Sequence, residues 1–370
     1  MDIGRYLQMT TTLDPGWEQI PPDPLLEWLA ANLAMEIQVV PVSTYDASHQ
    51  SLALSGQEYI VWDVALDQTV LAVLGGVQYA EGADTTAARA TASRHLRRVL
   101  FIYLSRKLRR YEHTAAAFGR LAAEEPPISG LPVFAEQVVG EIYDMQRMLM
   151  FFHEAAHALF RARPLLRETT VMRTEQLMAG VGGLLTPDEI AAHHPEFAEE
   201  ASAEQRRRFI EELACDYQGF GLTSLAIPLA PGLPRRSWQD SIGILYGASA
   251  ALATIERGLK LATSKWAAFA RATGDGREIV NDAVVLPDYL TERPAFTVRR
   301  WNGLLALQAV LKALGAELHV DAYAWQDYIL AKCAVVDEAV ERYLIGGLNE
   351  LASLEFLAKV FSRAHLHRSG

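Results

Sequence analysis

The stretch from Val133 to Phe160 contains no proline and one glycine, Gly140, and its apolar residues recur at helical spacing, which predicts a single long helix. Near its end stands MLMFFHEAAHALF, 148–160. Residues four apart on an α-helix lie on one face, one turn above each other, so His153 and His157 can turn both imidazoles toward one ion. Glu154, one position round, cannot easily share that ion with both rings, but it can reach a water held there and act as general base. Phe151, Ala155, Ala156, Ala158 and Leu159 are uncharged, as a ligand helix packed under a cleft requires. The competing reading of the pair is two histidines satisfied within a core.

A catalytic zinc takes three protein ligands and keeps one open position. A third histidine at the metzincin spacing needs glycine at Phe160 and histidine at Arg163, and neither is present. A carboxylate from a later helix is the remaining option, and RFIEELACDYQGF supplies it. Glu212 and Asp216 share a helical face, so Glu212 can bind the ion while Asp216 accepts the second N–H of a ligand histidine. Glu211 competes for the ligand role, but its partner four residues on is Cys215, which offers no carboxylate. Cys215 reads either as a small buried hydrophobe or as a contact to the metal in an inhibited or oxidised state.

With 370 residues and 50% hydrophobic content, the chain can bury one large core or two moderate ones without a covalent staple. Lys+Arg 34 against Asp+Glu 45 leaves a net charge of -11, which speaks against a nucleic-acid surface spread over the chain and for protein or peptide partners. Two cysteines, Cys215 and Cys333, and the absence of a basic, apolar start in MDIGRYLQMTTTLDPGW lead to the expectation of a cytoplasmic protein. The uncharged stretches 217–234 and 241–255 are broken by Gly and Pro or end in Glu256 and Arg257, so no membrane association is expected.

Along the chain, Asp23 and Pro24 cap a first helix, LLEWLAANLAM. IQVVPVSTY and SLALS-GQ-EYIVWD are β-branched and aromatic around a turn at Gly56, which predicts short antiparallel strands. ALDQTVLAVLGG returns to a helical pattern and is expected to stop at its glycine pair. RHLRRVLFIYLSRKLRR, within 91–111, reads as a helix with a solvated basic face, or as a surface for an acidic partner or a membrane. Thr186 and Pro187 open a short helix ended by Pro195, and Ser202 with Gln205 forms a capping box before the carboxylate helix. The expected class is α+β and mostly helical, with a small antiparallel sheet. Its parts are an N-terminal α/β subdomain at 1–125, the metal-binding helices at 126–229 and a C-terminal helical region at 230–370, which has the size to bind a regulatory protein.

His153-Glu154-Ala155-Ala156-His157 followed by Glu212-Leu213-Ala214-Cys215-Asp216 resembles the gluzincin metallopeptidases with an E-x-x-x-D second motif, such as the HtpX-like and prenyl-protein endopeptidases and the soluble phage-exclusion protease Lit. EYIVWDVALDQTVL resembles the edge strand and helix that precede the zinc helix there, and ERPAFTVRRWNGL is similar to an H-P-x-x-x-x-R segment, with Arg293 in place of its histidine and Pro294, Arg299 and Arg300 retained. The resemblance implies a zincin-like core and a Zn²⁺-dependent endopeptidase in which His153, His157 and Glu212 hold the metal and Glu154 is the base. It also implies that the strand at Tyr59, Ile60, Val61 and Trp62 docks an extended substrate, with activity under regulation, as in defence against phage. Candidates for stabilising the oxyanion are Arg299, Arg300, Tyr246, Tyr289, and the pair His193 and His194, which otherwise reads as a solvated helix end. The alternatives are a catalytically silent zinc scaffold that binds a partner protein, and a zinc-free helical protein.

Overall fold

The computed structural model describes residues 2–45, 48–125, 127, 133–180, 203–272, 274 and 275, the single positions 303, 306, 307, 309, 310, 312 and 324, and the segment 338–345. The expected helix at 187–194, Ser202 of the capping box, and His193, His194, Tyr289, Arg293, Pro294, Arg299 and Arg300 all lie outside the described residues.

Two short helices open the chain, α1 (Ile3–Thr10) and α2 (Pro24–Ala31). Asp23 caps α2, its Oδ1 accepting from the Leu25 and Leu26 amides, and Pro24 occupies the first turn, where a missing N–H costs nothing. Strands β1 (Ile37–Val42), β2 (Gln50–Leu54) and β3 (Gln57–Asp63) follow. Ser55 and Gly56 join β2 to β3 with φ of 53° and 84°, so both residues of the turn are left-handed, as a two-residue hairpin of matching twist requires.

The sheet order is β1-β3-β2, with β3 antiparallel to β2 but parallel to β1, so the sheet is mixed rather than wholly antiparallel. Two features put β3 in the middle. Ile60, Val61, Trp62 and Asp63 are buried in succession, which suits a strand covered on both faces. Pro41 in β1 has no N–H to give to a second neighbour and suits an edge. The expectation that Tyr59 to Trp62 form the edge strand is therefore corrected: they pair with β1, and Tyr59 to Val61 also with β2. The edge on the side of the histidine helix is β2.

Helix α3 (Val64–Glu81) runs through the glycine pair that was expected to end it. A Cβ on Gly76 would lie 2.7 Å from Leu96 Cδ2, so the bare backbone is what lets α4 (Thr86–Lys107) lie close against α3. The basic stretch thus forms a helix with Leu96, Leu100, Phe101 and Leu104 buried, while Arg97 pairs with Glu125 at 3.3 Å and Arg106 with Asp14 at 2.5 Å. Then come α5 (Glu112–Glu124), the long α6 (Val133–Ala162), α7 (Pro164–Gly180), α8 (Ala203–Ala226) and α9 (Trp238–Ala272). The Asp275 carboxylate accepts from the His113 and Thr114 amides and so caps α5 from the far end of α9. One contiguous core joins Leu25 on α2 to Leu344 in a π-helical turn, Glu341–Ile345, so the three segments expected from the sequence share a single interior. Among the described residues no helix is long and apolar enough to cross a membrane.

Candidate metal centre

Helix α6 carries both histidines, and α8 crosses it where Gly219 faces the backbone of Phe152 and His153. Glu212, Asp216 and Gly219 are spaced four and three residues apart and share one face of α8. Close contact at the glycine therefore brings the two carboxylates above it onto the imidazoles. His153 Nε2 lies 3.3 Å from His157 Nε2 and 3.3 Å from Glu212 Oε2, and His157 Nε2 lies 3.6 Å from Glu212 Oε1. Donors on a zinc ion held tetrahedrally at about 2.0–2.1 Å stand about 3.3–3.4 Å apart, which two of these separations match while the third is wider. The two nitrogens and the carboxylate are also the right donor set for that ion, and these three residues are the group able to hold a metal among those described. The Glu212 side chain is 48% exposed, which leaves the triad open on one side.

His153 Nδ1 is 2.7 Å from Asp216 Oδ1, which fixes this ring with Nε2 toward the triad. Burial works against a charged His153, but hydrogen bonds and charge from Asp216, then Glu212 and Glu154, outweigh it and raise its pKa to about 10. Burial raises the pKa of Glu212 less than the hydrogen bonds and charges of His153 and His157 lower it, so it stays ionised. Glu211 turns the other way: Arg167 on α7 donates to it at 3.0 and 2.5 Å, holding its carboxyl below the usual range. The choice of Glu212 over Glu211 therefore has a contact to explain it.

Glu154 is half-buried beside the histidines, and burial raises its pKa against the lowering by His153 and His157. The Ser51 amide of β2 also donates to it. Arg161, two turns along α6, donates to Ser51 Oγ and Glu58 Oε2, both at 2.6 Å, and so ties the edge strand to the helix that carries Glu154. A cavity of about 590 Å³ opens beside Glu154 and Glu212, walled by Leu66, Met150, Phe220 and Leu252 among others. Tyr246 is buried in the main core, while the α9 residues that line the cavity are Ser249, Leu252, Ala253, Glu256, Leu259 and Thr263.

His49 also lines the cavity and carries no sequence motif that would single it out. Its ring stacks on Trp62 at 3.8 Å, its Nδ1 accepts from the Asp63 amide at 3.0 Å, and its Nε2 lies 3.8 Å from Asp67 Oδ1. Only the hairpin register makes it a neighbour of the site, so it was not legible from spacing. Burial, then the charges of Arg147 and His153, push its pKa down to about 3. A base whose folded pKa falls below its unfolded value of 6.5 contributes stability that is present above pH 6.5 and lost as pH falls toward 3. Wild type should accordingly lose about 1.4 kcal/mol relative to His49→Gln between about pH 7.5 and about pH 5.5, read by chemical denaturation. Equal acid sensitivity in the two proteins would refute the neutral, buried state of this ring. The comparison with the variant is needed because Asp67, raised to about 6 by burial, gains stability over the same range.

Comparison of the chain with protein-family models, with curated proteins and with solved structures finds no match.

Proposed function

We propose that the chain is a zinc-dependent endopeptidase. The observation that carries this reading is the convergence of His153 Nε2 and His157 Nε2, 3.3 Å apart, on the Glu212 carboxylate at 3.3 and 3.6 Å, with the Glu154 carboxyl group beside them in the wall of a cavity. Zinc, when held by these three residues, lowers the pKa of water toward about 7 and polarises a carbonyl. The side chains supply the rest. Glu154 takes a proton from the attacking water as the new C–O bond forms and then passes it to the amine nitrogen, which leaves as the peptide C–N bond breaks. Partial burial raises the basicity of Glu154, which suits it to that transfer. Asp216 keeps His153 in the tautomer whose Nε2 faces the ion.

The substrate is a protein or peptide bound in extended form. An edge strand recognises backbone with little demand on side chains, and β2 is the edge that touches α6. Arg161 and Ser51 hold that edge at a fixed height above Glu154.

The test begins with metal content. The purified chain should carry about one zinc ion, and Glu212→Gln should weaken binding by at least the 10–100-fold typical of lost outer partners. Glu211→Gln should leave zinc affinity within about threefold, since it removes only a half-exposed pair with Arg167. Equal zinc affinity in the two variants would remove Glu212 from the ligand set and the hydrolase reading with it.

A further inference from the structure

Of the four ring nitrogens on the two histidines, three have partners already described. The fourth, His157 Nδ1, lies 3.4 Å from Cys215 Sγ. Cys215 is fully buried, packed with Ala156, Phe160 and Ala214 and flanked by Leu166 and Val171. Sulfur is thus the group this otherwise apolar cluster presents to that nitrogen. A buried N–H left without an acceptor is costly, and a thiol sulfur is a weak one that fits the distance.

Resting on the zinc reading of the triad, we infer that Cys215 is a positioning residue: its sulfur accepts the Nδ1–H of His157 and holds that imidazole with Nε2 toward the metal. Asp216 performs the same task for His153 from the next position on α8. The two histidines differ in consequence. His153 leans on a carboxylate at 2.7 Å and is the more electron-rich donor; His157 leans on a neutral group at 3.4 Å and is the weaker one. The reading of Cys215 as a plain buried hydrophobe makes different demands, because filling space needs a methyl-sized group and no acceptor.

Zinc affinity by chelator competition, alongside thermal unfolding of the zinc-free proteins, separates the two. Cys215→Ala should bind zinc about tenfold more weakly. Cys215→Ser, which restores an acceptor, should stay within about threefold of wild type. A plain hydrophobe predicts the reverse order, with serine the more damaging because it buries a hydroxyl. Equal zinc affinity in wild type and Cys215→Ala would overturn the inference while leaving the metal site standing, whereas wild type that binds no zinc would remove the reading beneath it. If Cys215→Ala does not fold, nitrogen-15 NMR of zinc-loaded wild type decides the matter. A protonated Nδ1 on His157 supports the inference, and a metal-bound Nδ1 ends it.

Discussion

Glu154→Gln is expected to keep its zinc and to lose peptide hydrolysis by about 10²–10⁴-fold, the contribution of a positioned general base. The amide has the shape of the carboxyl group and its oxygen can still accept from the Ser51 amide, so the local geometry has no reason to change. What it cannot do near neutral pH is take a proton. The structure also predicts the sign of the stability change. Burial raises the pKa of Glu154, which means that its ionised form is the costly one in the folded state, so a neutral isostere should unfold at the same temperature as wild type or higher. The measurement is cleavage of a diverse peptide mixture followed by mass spectrometry, with zinc content and unfolding temperature read on the same samples. Turnover retained in the variant would refute Glu154 as the base. A fully zinc-loaded wild type that cleaves nothing in the mixture, nor any protein in cells that make it, would favour a scaffold over an enzyme.

The site was legible where a helix period alone decides geometry. Four-residue spacing brings His153 over His157 and Glu212 over Asp216 in any α-helix, and the face argument separates Glu212 from Glu211 without coordinates. What spacing could not give is the reason Glu211 is unavailable, since Arg167 lies on a different helix. The sheet order departs from the expected edge strand, although a signal for it is present in the sequence. Tyr59 to Trp62 are a continuous apolar run, which belongs to a strand covered on both faces, while SLAL alternates as an edge strand does, and β2 is indeed the half-exposed one. Gly75 and Gly76 resemble a stop signal, but tertiary contact with Leu96 outweighs their low helix propensity. His49 was invisible because its proximity to the site depends on the β2–β3 register and not on any local pattern.

The crossing of α6 and α8 makes Gly219 the position where one added side chain should do most damage. A Cβ there would stand 3.0 Å from the His153 amide nitrogen, 3.3 Å from His153 Cα and 3.3 Å from the Phe152 carbonyl carbon. All three are backbone atoms in the middle of a long helix, so none can rotate aside as a flexible side chain would. Alanine already requires the helices to part by a few tenths of an ångström, and valine adds two methyl groups to the same gap. Gly219→Val should therefore cost about 3 kcal/mol, the upper end of what overpacking usually exacts. The same parting carries Glu212 and Asp216 away from the imidazoles, and metal sites tolerate errors of only about 0.2 Å in ligand distance. Zinc affinity should fall with stability. Gly221→Val is the control, because it lies on the same helix with nothing within 4 Å of its added Cβ and gains helix propensity in the same way. Urea denaturation and zinc competition on the pair test the point: a Gly219→Val protein as stable and as tightly zinc-binding as Gly221→Val would mean that the close crossing does not set the position of the carboxylates.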